Sequence, residues 1–313
     1  MIERLASVSR DLEVHLLYAT IVWLAAWLLT SLQRGTSTTK YWIWIATSLN
    51  FILPLSAIPG RLWPYYVSWL TPMSVTRGAI EGISLSAQAT ILLWIIWSVG
   101  AIVMFARLCL RLYAERHDHA AVSDAGFVID RVPVKFDANR RSPAVDGVLR
   151  THISLPRGID QLLTKHELEA VLIHELKHAK RRDNLIRLAH EASLCALWFH
   201  PLVWITGSRL ALYRELSCDE SVMRRADSNN LVSALAKLAN APDAPLLQAT
   251  ASSFMSQRLE RLMTPRSYKR FLAFNTMLIV TFAVVLLAGA LGPAARSSAS
   301  YLCASSHSTK QAR

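Results

Sequence analysis

The chain has 313 residues, of which 52% are hydrophobic and 18% are charged. Soluble globular domains average about 45–50% apolar and about 25% charged residues, so this composition favours an integral membrane protein. The formal net charge of +12 raises the alternative of a nucleic-acid-binding protein. The lysines and arginines are spread along residues 111–270 rather than gathered in one stripe, so we expect no direct contact with nucleic acid.

Four apolar runs are long enough to be membrane-spanning helices. They cover about residues 14–32, 41–58, 89–110 and 271–291, each close to the roughly 20 residues that cross a bilayer as a helix. The second run contains Asn50 and Pro54, which a spanning helix tolerates when its neighbours satisfy the freed backbone groups. The sequence therefore predicts a mainly α-helical, polytopic membrane protein with about four transmembrane helices.

The distribution of positive charge predicts the orientation of these helices. Lysine and arginine flank residues 111–270 and recur near their centre, so the positive-inside rule places this stretch in the cytoplasm, at a bacterial inner membrane. Residues 1–110 are expected to hold three transmembrane helices with short loops, and residues 292–313 a short, disordered external tail. The four cysteines are far apart in the sequence, so no disulfide framework is expected.

The stretch 111–270 has the pattern of one α+β domain. Short β-branched segments at Phe127–Ile129, Val132–Phe136 and His152–Leu155 are separated by turn residues and predict a small sheet. Helices follow, and the segment Thr164–Glu167 has the pattern of a capping box at the start of the first of them.

Further helices are expected at about residues 201–225 and 230–239. Residues 194–205 are apolar but too short to span a bilayer, so both core packing and contact with the membrane remain open for them.

The motif HELKH at residues 174–178 carries the strongest chemical signal. Residues four apart on a helix are separated by about 40° around its axis, so His174 and His178 project from one face and can hold one zinc ion. Glu175 lies beside them, where it can accept a proton from a coordinated water whose pKa zinc lowers to about 7. Because so short a pattern also arises by chance, its meaning depends on a third ligand.

Catalytic zinc sites usually have three protein ligands and one open position. Glu215 is the best candidate for the third ligand, and Asp219, one turn later in the segment ELSCD, can accept a hydrogen bond from a ligating imidazole. Cys218 is a weaker alternative because we expect it on a packed helix face. Asp183 either pairs locally or belongs to a plain charge cluster, and the sequence does not separate the two.

The remaining histidines have simpler explanations. We expect His166, His190 and His200 to cap helices, pack or lie at the surface, because they are away from the centre of the motif helix. His117 and His119 are expected in a solvated linker after the third apolar run.

With three apolar runs before the domain and one after it, and with HELKH and ELSCD inside it, the chain resembles the BlaR/MecR-type antirepressor membrane metallopeptidases of β-lactam sensing. The resemblance extends to residues 142–156, through Arg182–Asp183, to WFHP at residues 198–201 and to residues 214–220. It covers most of the chain.

This resemblance implies a gluzincin-like zinc peptidase fold with Zn²⁺ as cofactor. His174, His178 and Glu215 would be the metal ligands. Glu175 would be the general base, and Asp219 would orient a ligand. The edge strand that pairs with an extended peptide substrate would consist of His152, Ile153, Ser154 and Leu155.

Members of this family cleave cytoplasmic proteins, including a transcriptional repressor, and often cleave themselves. Sensors of this type carry a large external penicillin-binding domain after the last membrane helix, whereas Pro293–Arg313 are the residues that follow here. We therefore expect that this chain does not sense a β-lactam directly. The trigger would come from the outer loop, the membrane, a sensor partner or a homo-oligomer.

The sequence thus predicts a membrane-bound zinc endopeptidase that hydrolyses cytoplasmic or membrane-proximal proteins in regulated proteolysis and signalling, with a protein substrate and membrane lipid as partners. A quality-control protease of the HtpX type is one alternative, and it usually arranges its membrane helices differently. A noncatalytic signalling scaffold with a dead zinc site is another, although the complete set of ligands weighs against it.

Overall fold

The computed structural model of the protein describes residues 2–32, 35–52, 87–117, 122–239 and 255–263, together with residues 280 and 282. Within these residues the fold is mainly helical with one small sheet, as the sequence predicts. The helices are α1 (Ile2–Leu32), α2 (Ser37–Ile52), α3 (Ala87–His117), α4 (Ile159–Leu162), α5 (Lys165–Arg181), α6 (Asp183–Ala196), α7 (Pro201–Met223), α8 (Ser228–Ala239) and α9 (255–263). The strands are β1 (Val122–Ile129), β2 (Val132–Asp137), β3 (Ala144–Asp146) and β4 (His152–Pro156).

Two of the described helices are long and apolar enough to cross a membrane: α1 over His15–Leu32 and α3 over Gln88–Glu115. The apolar stretch of α3 is only 6% buried, against 44% for that of α1. Within the described residues, most of this apolar stretch of α3 is thus left uncovered, which favours a lipid environment because water solvates apolar side chains poorly. Both stretches coincide with predicted membrane runs.

The other two predicted membrane runs are described only in part. Helix α2 has 16 residues and places a large share of its side chains in the protein core, while residues 53–58 lie outside the described part of the chain. Of the run 271–291, only residues 280 and 282 are described, and Phe282 belongs to the same buried apolar cluster as Tyr18 and Val22 of α1. The four-span count, the domain limits and the cytoplasmic orientation stay predictions.

The sheet has the order β1-β2-β4-β3. Strands β1 and β2 are antiparallel, β2 and β4 are parallel, and β3 and β4 are antiparallel. The sequence-based assignment of His152, Ile153, Ser154 and Leu155 as an edge strand is therefore wrong, because β4 has a partner on each side. Its interior position accounts for the complete burial of Ile153 and Ser154.

The edge next to β4 is β3, which the sequence analysis assigned to turns. This strand has only three residues and lies between Pro143 and Gly147, both of which are typical of turns. So short a strand has no alternation of apolar and polar residues from which it could be recognised.

The peptidase-motif helix α5 begins and ends with well-defined local structures. The backbone N–H of Glu167 donates to Thr164 Oγ1, and the Glu167 carboxylate accepts from the backbone N–H of Thr164 at 2.7 Å, so the predicted capping box is confirmed. At the other end, Arg182 adopts a left-handed conformation (φ 56°, ψ 47°) and is also the residue that precedes α6. The turn from α5 to α6 is thus a single residue.

The largest cluster of buried apolar residues joins the sheet to α5, α7 and α8. Val134 and Ile153 of the sheet meet Ala170 and Val171 of α5, with Val222 of α7 in the same cluster. A second cluster joins α1 and α2 to α6 and α7. Helix α7 belongs to both clusters, so it links α1 and α2 with the sheet-bearing part of the protein.

Candidate active site

The three predicted metal ligands lie together. His174 and His178 project from one face of α5, as their spacing predicts, and their Nε2 atoms are 3.1 Å apart. Helix α7 crosses this face and places Glu215 Oε2 at 3.5 Å from His174 Nε2 and at 3.9 Å from His178 Nε2. Two imidazole nitrogens and one carboxylate oxygen therefore face one another across a small volume.

These distances fit a single tetrahedral metal ion. Donor atoms that each lie about 2.0–2.1 Å from zinc are about 3.3 Å from one another, and the three pairs here are separated by 3.1, 3.5 and 3.9 Å. Nitrogen and oxygen donors are also the ligand types of catalytic zinc sites, in which the fourth position stays open. The residues present can therefore hold zinc as three protein ligands.

The ionisable groups in and around the cluster change one another's pKa values. Burial disfavours the charged form of His174, but hydrogen bonds to Asp219 and Glu215 outweigh it and raise its pKa to about 9. Burial acts in the same way on His178, whose pKa is nevertheless raised well above its ordinary value by nearby Cys218 and Glu215 and by Asp183. Because zinc binds neutral imidazole, the metal and protons compete for these nitrogens.

Glu215 is held in its charged form. Burial alone would raise its pKa, yet the two imidazoles and two arginines keep the pKa well below its ordinary range. Arg214 contacts Glu215 Oε1 at 3.2 Å, and Arg258 Nη1 lies 3.5 Å from Glu215 Oε2. These surroundings favour the anionic form of this candidate ligand, which suits a divalent cation.

Asp219 lies behind His174, as the sequence predicts. Its Oδ1 is 3.1 Å from His174 Nδ1, the ring nitrogen that does not face the cluster. A carboxylate at this atom orients the ring and makes Nε2 the metal-binding nitrogen. Arg258 of α9 donates to both oxygens of Asp219, at 2.8 and 2.9 Å. The sequence analysis missed Arg258, because it belongs to no motif and lies 39 positions from Asp219.

His178 has a second carboxylate in the corresponding place. Asp183 Oδ2 lies 2.7 Å from His178 Nδ1, and the Tyr41 hydroxyl of α2 donates to Asp183 Oδ1 at 3.0 Å. Arg181 donates to both oxygens of Asp183 and stacks over the Tyr41 ring, with 4.1 Å between the guanidinium carbon and the ring centroid. Asp183, for which the sequence left two roles open, is thus a partner of a metal-ligand candidate, and Tyr41 is a residue of the candidate site that the sequence analysis missed.

Cys218 is close to the site but is engaged elsewhere. His178, Asp183 and Cys218 have ligand atoms close enough to form a second metal-binding group. Arg181, however, donates to Asp183 Oδ2 at 2.6 Å and lies 3.4 Å from Cys218 Sγ. The positively charged guanidinium of Arg181 already occupies the position that a metal cation would take. We therefore assign no second metal to this group.

The other histidines are in the places expected for packing and surface residues. His190 of α6 is buried and its Nδ1 lies 2.9 Å from Ser48 Oγ. His166 is exposed near the start of α5, and the ring of His200, just before α7, packs against Phe51. The side chains of His117 and His119 are outside the described part of the chain.

The cluster opens into a cavity of about 1590 Å³. Glu175 lines it beside the two histidines and is close enough to Arg258 for their charges to interact. Strand β3 and the loop after it form one wall, and Leu112 and Tyr113 from the end of α3 contribute to another. Of the predicted edge strand, His152 lines this cavity, whereas Ile153, Ser154 and Leu155 are buried.

Comparisons with known proteins agree with this architecture. The family model described as BlaR1 peptidase M56 matches residues 12–264. The "Regulatory protein BlaR1" of Bacillus licheniformis is 40% identical over 91 residues, which are 28% of this chain and 14% of that protein. The "Methicillin resistance mecR1 protein" of Staphylococcus aureus is 24% identical over 98 residues, which are 31% of this chain and 17% of that protein.

The alignments therefore span less than a fifth of the length of these two relatives. The resemblance to BlaR/MecR-type proteins that the sequence motifs indicate is confirmed.

The carboxylate behind His178 can be tested by changing Asp183 to Asn. Loss of the negative charge removes the partner that orients the imidazole, so we expect zinc affinity to fall by about 10- to 100-fold, as is usual when such a partner is lost. Competition with a chromophoric chelator measures this affinity on purified protein. Asp160→Asn, a change at an exposed aspartate of α4, is the matched control and should leave zinc affinity unchanged. Equal affinity in the two variants would contradict the assigned role.

Proposed function

Because the chain belongs to the BlaR1 peptidase M56 family, we propose that it is a membrane-bound zinc metalloendopeptidase. The observation that carries this proposal is the convergence of His174, His178 and Glu215 on one small volume, beside Glu175 and at the wall of a large cavity. A noncatalytic scaffold would not need this complete set of donors together with a proton acceptor and room for a substrate.

Each residue has a distinct part in the proposed reaction. The two histidines and Glu215 would hold the zinc ion, which would supply a Lewis acid for the scissile carbonyl and for an attacking water. Glu175 accepts the proton that this water loses and passes it to the amine that leaves when the peptide bond breaks. Asp219 and Asp183 hold the two imidazoles in the tautomer that directs Nε2 to the metal. Arg258 keeps Asp219 in place.

We assign the pairing of an extended substrate to β3, in place of the interior strand β4. Strand β3 is at the sheet edge and lines the cavity, and an edge strand offers backbone groups with which a peptide can pair. Asn184 Nδ2, which lies outside the sheet, donates to the Val145 carbonyl at 2.9 Å, so a pairing peptide would share this acceptor with Asn184 or replace it. A peptide beside β3 lies along the cavity that contains Glu175.

The proposed substrates are cytoplasmic or membrane-proximal proteins, and the proposed setting is regulated proteolysis at a bacterial inner membrane. The names of the two relatives refer to regulation and to methicillin resistance. A transcriptional repressor, or the chain itself, is the substrate that this relationship favours for the present protein.

Glu175→Gln tests the catalytic role directly. Glutamine keeps the size of the side chain but cannot accept the proton, so we expect peptide hydrolysis to fall by about 10²- to 10⁴-fold, the usual contribution of a general base. Zinc content should not change, because Glu175 is not a ligand. Mass spectrometry of new protein N-termini in cells producing each variant measures cleavage. Glu169→Gln, at an exposed position of the same helix, should cleave like the unchanged chain, and cleavage by Glu175→Gln at that same rate would overturn the proposal.

Val145→Pro tests the pairing of substrate with β3. Proline removes the backbone N–H of this residue, so we expect a higher KM for a peptide that wild-type protein cleaves, with zinc content unchanged. Val145→Ala shortens the side chain, keeps the N–H and should retain the wild-type KM. If both variants raise KM equally, the side chain rather than the backbone is responsible and the pairing is refuted.

A further inference from the structure

The turn between α6 and α7 exposes large apolar side chains. We call residues 196–206 the hairpin tip. Within it, Phe199, Trp204 and Ile205 are 43%, 46% and 41% exposed. Phe199 lies in the turn and Trp204 and Ile205 in the first turns of α7, and together they form an apolar surface that is unfavourable in water. The sequence leaves open whether this segment packs in the core or contacts the membrane.

The hairpin tip contacts the middle of α3. Trp97 Nε1–H donates to the Ala196 carbonyl at 2.8 Å, and Trp198 Nε1–H donates to the Trp97 carbonyl at 3.2 Å. The Trp198 ring also lies directly against Gly100, where an added Cβ would be only 2.1 Å from it. Trp97 and Gly100 are in the central part of the apolar stretch Gln88–Glu115.

The hairpin tip also contacts the middle of α1. Trp23 Nε1–H donates to Thr206 Oγ1 at 3.1 Å, and Trp23 is at the centre of the apolar stretch His15–Leu32. Two helices that are long and apolar enough to cross a membrane therefore meet the hairpin tip at their midpoints. A segment that contacts the midpoints of both is at the depth of the hydrocarbon if these helices span the bilayer.

Ion pairs between α3 and α6 are displaced from this contact. Arg111 comes eleven residues after Gly100, about 16 Å along the helix axis, which is close to half the thickness of the hydrocarbon. Arg111 pairs with Glu191 at 2.7 Å, and Glu115 pairs with Arg187 at 3.1 Å. Each of these four charges has a partner of opposite sign. Arg187 and Glu191 of α6 therefore do not present an unpaired charge to lipid.

The backbone of the hairpin tip is hydrogen-bonded within the protein. The N–H groups of Leu197, His200 and Val203 donate to the carbonyls of Ser193, Leu197 and His200. The carbonyl of Ala196 accepts from Trp97, and that of Trp198 accepts from the Trp204 indole at 2.8 Å. Hydrocarbon tolerates a turn only where other protein groups satisfy its backbone, and these five hydrogen bonds satisfy backbone groups at the hairpin tip.

We propose that α6 and α7 form a re-entrant hairpin whose tip is inserted into the hydrocarbon, with Phe199, Trp204 and Ile205 in contact with acyl chains. This inference rests on the membrane attachment in the proposed function. It places the metal site at the membrane surface, because Glu215 is 14 residues after Pro201, about 21 Å along α7. Leu112 and Tyr113, which line the cavity, are at the end of α3 that lies toward the same surface. The substrate class that reaches such a site most directly is a protein segment next to the bilayer.

Spin-label accessibility in lipid bilayers tests this depth. A nitroxide is attached at Phe199→Cys in protein carrying Glu175→Gln, with Cys109, Cys195 and Cys303 changed to Ser and the fully buried Cys218 retained. Collisions with oxygen, which concentrates in hydrocarbon, are compared with collisions with a water-soluble nickel chelate. Ile102→Cys, 67% exposed on α3, is the lipid-facing control, and Leu162→Cys, 40% exposed on α4, is the control from the sheet-bearing part.

We expect the oxygen-to-nickel ratio at residue 199 to match that at residue 102 and to exceed that at residue 162. A ratio equal to that at residue 162 would place the tip in water and overturn the proposal. Shielding from both reagents would mean that protein, such as a second copy of the chain, covers the tip, and would overturn it as well. If Phe199→Cys does not fold, Trp204→Cys provides the same comparison. The measurement needs no catalysis, so its failure is separate from failure of the proposed peptidase activity.

Discussion

Two imidazole nitrogens 3.1 Å apart, with a carboxylate oxygen 3.5 and 3.9 Å from them, are the constraint around which the rest of this structure is arranged. Donor atoms that point at one another repel unless a cation or protons lie between them. The protein maintains this arrangement by crossing α5 with α7, and by placing a carboxylate behind each imidazole. Without a metal, protons on the imidazoles can compensate the cluster, and a divalent cation would replace them because it is attracted to all three donors.

The groups that maintain the cluster come from distant parts of the chain. Tyr41 of α2 reaches His178 through Asp183, and Arg258 of α9 reaches His174 through Asp219. A further hydrogen bond joins α2 to α7: the Glu220 carboxylate accepts from the backbone N–H of Ser37 at 2.7 Å. Helix α2, which covers part of the second predicted membrane run, thus contacts Asp183, the carboxylate beside one of the candidate metal ligands. Movement of α2 relative to α6 is expected to change the contact between Tyr41 and Asp183, and through it the orientation of the His178 imidazole.

Short-range sequence patterns predicted a large part of this architecture. Helical periodicity placed His174 and His178 on one face, the capping box located the start of α5, and the spacing of Glu215 and Asp219 assigned two roles on one helix. Each of these depends on residues within about one turn of one another. What the sequence analysis missed depends on long-range contacts: Tyr41 is 142 positions from Asp183, and Arg258 has no motif. The error in the sheet edge has the same origin, since a three-residue strand is defined by its partner β4 rather than by its own pattern.

X-ray absorption at the zinc edge of the purified full chain tests the central claim most directly, because it reports the atoms that bind the metal. We predict one zinc per chain with nitrogen and oxygen neighbours at about 2.0–2.2 Å, including two imidazoles. Glu215→Ala should reduce zinc occupancy, and Cys218→Ser should leave the spectrum unchanged. A sulfur neighbour at about 2.3 Å, which would point to Cys218, or the absence of stoichiometric zinc would contradict the account.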